Sequence, residues 1–216
     1  ESVFMAGWDG EYAIRWFSPT TELALVGHAT LAAAHVVLSV LEPDRSEVQF
    51  TSPISGQLAA YRDEANVAIV LPADDPVTSE PPAALIQGLG RTPVSTLKGR
   101  HYVAVFDDPE EVAALEPKFD VLETLDLPTI AVTARGNESD YVLRFFAPAN
   151  GVPEDPVSGV AQCSLMPYWA SKLARAELTS RQLSPKGGEM NCKMLDEGVQ
   201  IAGPCCTIFS GVLENC

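Results

Sequence analysis

Arg15-Trp-Phe-Ser-Pro-Thr-Thr-Glu-Leu-Ala-Leu-Val-Gly27-His28 and Arg144-Phe-Phe-Ala-Pro-Ala-Asn-Gly-Val-Pro-Glu-Asp-Pro156-Val157 align without a gap. Each reads as a strand, a proline turn and a polar stretch that runs into an apolar segment of helical length. Two copies of one supersecondary unit predict two similar domains whose helix starts meet at a shared cleft. Chance similarity of two Arg-aromatic-aromatic-x-Pro strings is the alternative. The apolar segment after the first copy, His28 to about Leu41, has almost no polar face, and such a helix has to be enclosed by other structure. The second, Asp155 to about Leu173, carries Pro167, which predicts a kink or break there.

Around these copies the chain alternates short β-like runs with turns. In the first part the runs are Ser2 to Met5, Tyr12 to Phe17, Glu47 to Thr51, Gly56 to Tyr61 and Asn66 to Leu71, with Arg62 to Ala65 as a polar turn. The stretch Pro72 to Pro82 denies both helix and central strand, and it marks a boundary between domains 1–76 and 77–216. Beyond it the runs are Thr92 to Leu97, Tyr102 to Phe106, Thr129 to Thr133, Tyr141 to Phe146, Glu189 to Met194, Val199 to Ile201 and Thr207 to Leu213.

The 216 residues carry 29 acidic and 14 basic side chains, a formal charge of −15 that repels phosphate backbones and anionic bilayers. Neither nucleic acid nor membrane is expected as a partner, and no apolar run reaches the length of a bilayer span. Cys163, Cys192, Cys205, Cys206 and Cys216 are odd in number and irregular in spacing, which fits reduced thiols in the cytoplasm. Glu1-Ser2-Val3-Phe4 already reads as a strand, so further residues are expected before Glu1.

Both helices start with groups unsuited to a core: Gly27-His28 at the first, and Glu154-Asp155-Pro156 leading to Ser158-Gly159 at the second. A helix start offers unpaired N–H groups and partial positive charge, which suit a carboxylate. Asp155 reads equally as a plain N-cap with Pro156 at the first helical position. His28 reads as a surface histidine or, beside Gly27, as a ligand contact. His35 reads as a core histidine and His101 as a minor candidate. Lys186-Gly187-Gly188 is a turn that either presents N–H groups to a ligand or serves only as a turn. Neither a nucleophile elbow, a P-loop nor a zinc motif occurs, so no metal or cofactor is expected.

At these residues the sequence resembles the phenazine-biosynthesis isomerase-like family, of the diaminopimelate epimerase-like fold. The likeness runs through Glu1-Ser-Val-Phe, the two repeat copies, Glu154-Asp155-Pro-Val-Ser-Gly159, Tyr168-Trp169 and Ser184-Pro-Lys-Gly-Gly-Glu. It implies an α/β (α+β) chain of two pseudo-repeated barrel-like domains, each with strands wrapped round a central helix, the last strand able to return to the first domain. The family's catalytic glutamate falls on Glu1, which implies roughly 40 further residues ahead of it, and its substrate-contacting histidine and aspartate fall on His28 and Asp155. Gly27, Ser158, Gly159, Val160, Gly187 and Gly188 are the implied substrate-binding positions. Val160 stands where the family has serine, Gln162 where histidine is common, and Lys186 where arginine is usual.

The expected activity is cofactor-independent isomerisation of a small carboxylic acid by general acid–base catalysis, in a chain that the resemblance makes a homodimer candidate. A non-catalytic binding member of the family, or an amino or hydroxy acid epimerase, is the alternative. Related epimerases use a cysteine at each helix start. Neither start has one, and Cys163 reads as a buried small side chain.

Overall fold

The computed structural model describes residues 1–18, 21–63, 66–196 and 198–212. The chain divides into two compact units, Glu1–Ile69 with Ala202–Cys216, and Val70–Ile201. The division falls inside two strands rather than in the proline stretch 72–82.

The first unit holds β1 (Ser2–Trp8), β2 (Glu11–Phe17), β3 (Glu22–Leu23), α1 (Gly27–Val36), β4 (Glu47–Ser52), β5 (Gly56–Asp63) and the start of β6 (Asn66–Leu71). Its strand order is β1-β2-β4-β5-β6, with β3 folded back on β2. In β2 and β4 alternate residues are buried, so Tyr12, Ile14, Trp16, Val48 and Phe50 form one apolar face.

The second unit holds β7 (Val77–Thr78), α2 (Ala83–Leu89), β8 (Ser95–Lys98), β9 (Tyr102–Val105), α3 (Pro109–Ala113), α4 (Phe119–Leu122), β10 (Ile130–Arg135), β11 (Tyr141–Ala147), β12 (Val152–Asp155), α5 (Gln162–Leu173), β13 (Glu177–Gln182), β14 (Gly188–Leu195) and most of β15 (Gly198–Gly203). The strands run β15-β14-β13-β11-β10-β9-β8-β7, with β12 on β11. Leu85, Val112 and Leu122 from α2, α3 and α4 pack on Tyr102, Val132 and Phe146 of the sheet. On the other face the Trp169 ring of α5 stacks on Tyr141 and donates Nε1–H to Thr133 Oγ1 at 2.9 Å. Covered on both sides, β11 is buried at every residue.

The repeat extends well beyond its two strings. In the first unit β1 pairs antiparallel with β2, the chain passes through a short return strand and α1, and β4 comes back parallel to β2 before pairing antiparallel with β5. In the second, β10, β11, β12, α5, β13 and β14 do the same in the same order. Each copy's arginine makes a two-pronged pair with a glutamate on the return strand. Arg15 reaches Glu22 at 2.8 and 2.7 Å, and Arg144 reaches Glu154 at 2.8 and 2.9 Å. The alignment is not gapless in space, however. Trp16 faces Leu23, whereas its counterpart Phe145 faces Asp155, because the second hairpin inserts a 3-10 turn at Pro148–Asn150.

That insertion corrects the second helix. Asp155 ends β12 and the helix starts at Gln162, so Asp155 is no N-cap. The helix also runs unbroken through Pro167. Proline lacks the N–H that would bond the Cys163 carbonyl one turn back, and the Asp74 N–H fills that place at 2.8 Å.

In the first unit α1 is regular only to Val36, and Val37–Leu41 closes as a π-type turn with Glu42 N–H bonding Val37 C=O at 2.7 Å. The enclosure expected for this apolar segment is partial, since Ala32, Ser39, Val40 and Leu41 are exposed. The strand expected at Thr207 to Leu213 is absent over 207–212, where Ile208, Phe209 and Val212 are exposed, and Leu213 lies outside the described residues. An apolar run becomes a strand only where a neighbour takes its backbone groups. β5 continues to Asp63, and the rest of the expected turn, Glu64 and Ala65, lies outside the described residues.

Candidate active site

In the first unit the helix start is open. Val26, the residue before α1, is extended and offers no side-chain cap, and the first turn carries no acid. The N–H groups of Gly27, His28 and Ala29 therefore lack intrahelical partners and carry the positive end of the helix dipole. Thr30 locks the turn, with its N–H and its hydroxyl both donating to Val26 C=O at 3.0 and 2.8 Å. Gly27 is buried, His28 is exposed, and His28 Nε2 lies 3.3 Å from Glu1 Oε2. A carboxylate and an imidazole at an uncapped helix start form a pair able to exchange a proton with a bound acid. His35 is half-buried on α1, between Thr207 Oγ1 at 3.2 Å and Ser39 Oγ at 3.3 Å, rather than in the core.

In the second unit Asp155 heads a turn, Pro156 to Val160, that side chains hold from behind. Gln182 is buried and bonds the turn twice: Oε1 accepts from Ser158 N–H at 2.8 Å, and Nε2 donates to the Asp155 carbonyl. Ser184 Oγ donates to Pro156 C=O at 2.6 Å and accepts from Gly187 N–H at 3.1 Å. Gly188 is the seat of Val157, because a Cβ there would fall 2.5 Å from Val157 Cγ2. Gly187 and Gly188 thus enter through the shape of the turn.

His101 completes the support. The Val160 carbonyl can only accept, so His101 Nε2 carries the proton that it shares at 3.4 Å, and Nδ1 accepts from the Thr129 hydroxyl at 2.5 Å. Burial pushes this imidazole down to about pKa 4 and keeps it neutral. Among the described residues, the Gly159 and Val160 N–H groups make no hydrogen bond. The amides of α5 itself are spent on Gly159, Val160 and Ala161 carbonyls. Cys163, the second residue of α5, is fully buried with its thiol pushed up to about 12, chiefly by desolvation, so it is no base.

Sequence reasoning singled out His28 and Asp155 by type and position and Glu1 by family resemblance, and it passed over Gln182 and Ser184, which hold the Asp155 turn. Their signal was β13 itself, Glu177-Leu-Thr-Ser-Arg-Gln182, whose strict in–out alternation places polar Ser180 and Gln182 on the buried side.

The phenazine biosynthesis-like protein family matches residues 1–211. The chain belongs to that family. An uncharacterized isomerase of Pseudomonas aeruginosa is 42% identical over 212 residues, 98% of this chain and 81% of the relative. A PhzF-family phenazine biosynthesis protein of Enterococcus faecalis superposes with a TM-score of 0.87 at 35% identity, over 94% of this chain and 78% of that one. A PhzC/PhzF protein of Clostridium difficile gives 0.89 at 31%, over 99% and 82%. The mixed α/β fold of this chain is therefore shared with these two members of the phenazine biosynthesis-like family.

Proposed function

We propose that this isomerase acts on a small carboxylic acid without a cofactor, with Glu1 as the proton carrier. The observation that carries the reading is the Glu1–His28 pair, 3.3 Å apart at a helix start that has no cap of its own. Glu1 takes a proton from one substrate carbon and returns it to another, and His28 polarises or steadies the acid as the charge moves. Asp155 holds substrate, with the Gly159 and Val160 N–H groups as carboxylate donors and Ser158, Gly187 and Gly188 shaping their turn. Val160 gives this wall a hydrocarbon side chain, which favours substrates with an apolar group there. The buried, high-pKa Cys163 argues against cysteine-based epimerisation.

The test is deuterium uptake from heavy water into a panel of small carboxylic acids. Glu1→Gln in the full-length protein keeps size and hydrogen bonding but removes the titratable group, so exchange should fall about 10²-fold while binding of the same acid survives. Asp155→Ala should weaken binding itself. A Glu1→Gln protein that exchanges as fast as the parent ends the proton-carrier assignment and leaves the ligand-binding alternative in first place.

A further inference from the structure

The turn that carries Asp155 has no regular structure of its own; within it Val157 N–H donates to Asp155 Oδ1 at 3.3 Å, and the hairpin behind it adds further bonds. Gln182 sits at the end of β13, fully buried, and its one amide group satisfies two backbone groups three residues apart: the Asp155 carbonyl and the Ser158 N–H. The side chains nearest to it in size do not do this at neutral pH. A glutamate carboxylate only accepts, a methionine of the same length does neither, and an asparagine is one methylene short. Leu183 N–H, bonded to Leu143 C=O at 2.8 Å, fixes the backbone from which Gln182 reaches.

We infer that Gln182 is a positioning residue: it sets the Asp155 turn in the conformation that leaves the Gly159 and Val160 N–H groups unpaired and available to an acid. The role of those amides rests on the proposed function; the control of the turn by Gln182 does not. Gln182 touches no ligand donor directly. Its effect passes through backbone, by fixing Asp155 at the head of the turn and Ser158 in its middle, and a buried amide with both ends bonded holds one rotamer.

The experiment is residue-resolved amide exchange and nitrogen-15 NMR on the full chain, with acetate as the probe. In Gln182→Met, protection of the Ser158 amide should fall about tenfold or more, and amide resonances of 157–160 should move. Amides of β13 and β14 should keep their protection. Gln182→Glu restores the acceptor alone, so Ser158 should regain protection while the Asp155 and Val157 amide resonances stay shifted. This rescue is what mere stabilisation of the fold would not produce, and it carries the test if Gln182→Met does not fold. Protection lost evenly along β13 and β14, or a Ser158 amide indifferent to both variants, overturns the inference. The acetate arm reads the other proposal separately. Acetate should shift the Gly159 and Val160 amides in the parent and do so several-fold more weakly in Gln182→Met; a parent blind to acetate there sinks the carboxylate-donor role and leaves the exchange result to decide on Gln182.

Discussion

His101 stays neutral in the folded chain down to about pH 4, because burial penalises its cation more than the Val160 carbonyl favours it. In the unfolded chain the same side chain takes a proton near pH 6.5. Its contribution to stability is therefore whole above pH 6.5 and drains away as the pH falls towards 4, by on the order of 3 kcal/mol. Many carboxylates titrate in the same range, so the useful quantity is a difference between proteins. Urea unfolding of parent and His101→Gln at pH 7 and pH 4 should show the parent's advantage shrinking by about that amount. An advantage that is the same at both pH values would mean that His101 takes up its proton at the same pH folded and unfolded. The added proton would fall on Nδ1 and cost the bond from the Thr129 hydroxyl, while Nε2–H would still donate to the Val160 carbonyl.

At the scale of elements, α5 ends on Ala174 in the left-handed conformation, φ 50°, ψ 43°, with Arg175 N–H closing the turn on Ala170 C=O at 3.1 Å. Glycine takes this conformation without strain, and Ala174 is exposed, so its methyl packs on nothing that would be missed. Ala174→Gly should raise stability by about 0.5–1 kcal/mol, read as a higher Tm; a lower Tm would show that Ala174 is unstrained there. Elements differed sharply in how far the sequence disclosed them. Asn66-Val-Ala-Ile-Val-Leu71 is a strand at its expected bounds, since a run of β-branched and apolar residues between turns has few other uses. β13 was hidden because two of its three inward positions, Ser180 and Gln182, are polar, and Gln182 serves the Asp155 turn. The helix at Pro109–Ala113 carried a legible signature, Asp108-Pro-Glu-Glu, with Asp108 accepting from Glu110 N–H at 2.9 Å, but five residues are too few for a periodic pattern. Asp155 was visible as a residue type beside a helix, whereas its true setting depended on a three-residue insertion that no local pattern announces.

At the scale of the molecule, the two units are built to one plan and finished differently. In the second, β10 and β11 are covered by helices on both faces; in the first, β1 lies at the end of the strand order with Phe4 and Trp8 largely exposed. Amide exchange should follow that contrast, with β10 and β11 slowest and β1 among the fastest, and a β1 as protected as β11 would contradict the burial seen here. The arginine–glutamate pair repeated in both hairpins carries the contrast into a different variable, ionic strength. Arg15 and Glu22 stand in solvent, where molar salt shrinks the screening length to about 3 Å and erases most of their attraction. Arg144 and Glu154 are nearly enclosed, and Arg144 also donates to the Leu115 carbonyl at 2.7 Å, so dissolved ions have little access to them. Brine should thus slacken the Arg15–Glu22 tie, leaving its backbone ladder in place, and spare the Arg144–Glu154 tie, giving two copies of one motif opposite habits in salt water.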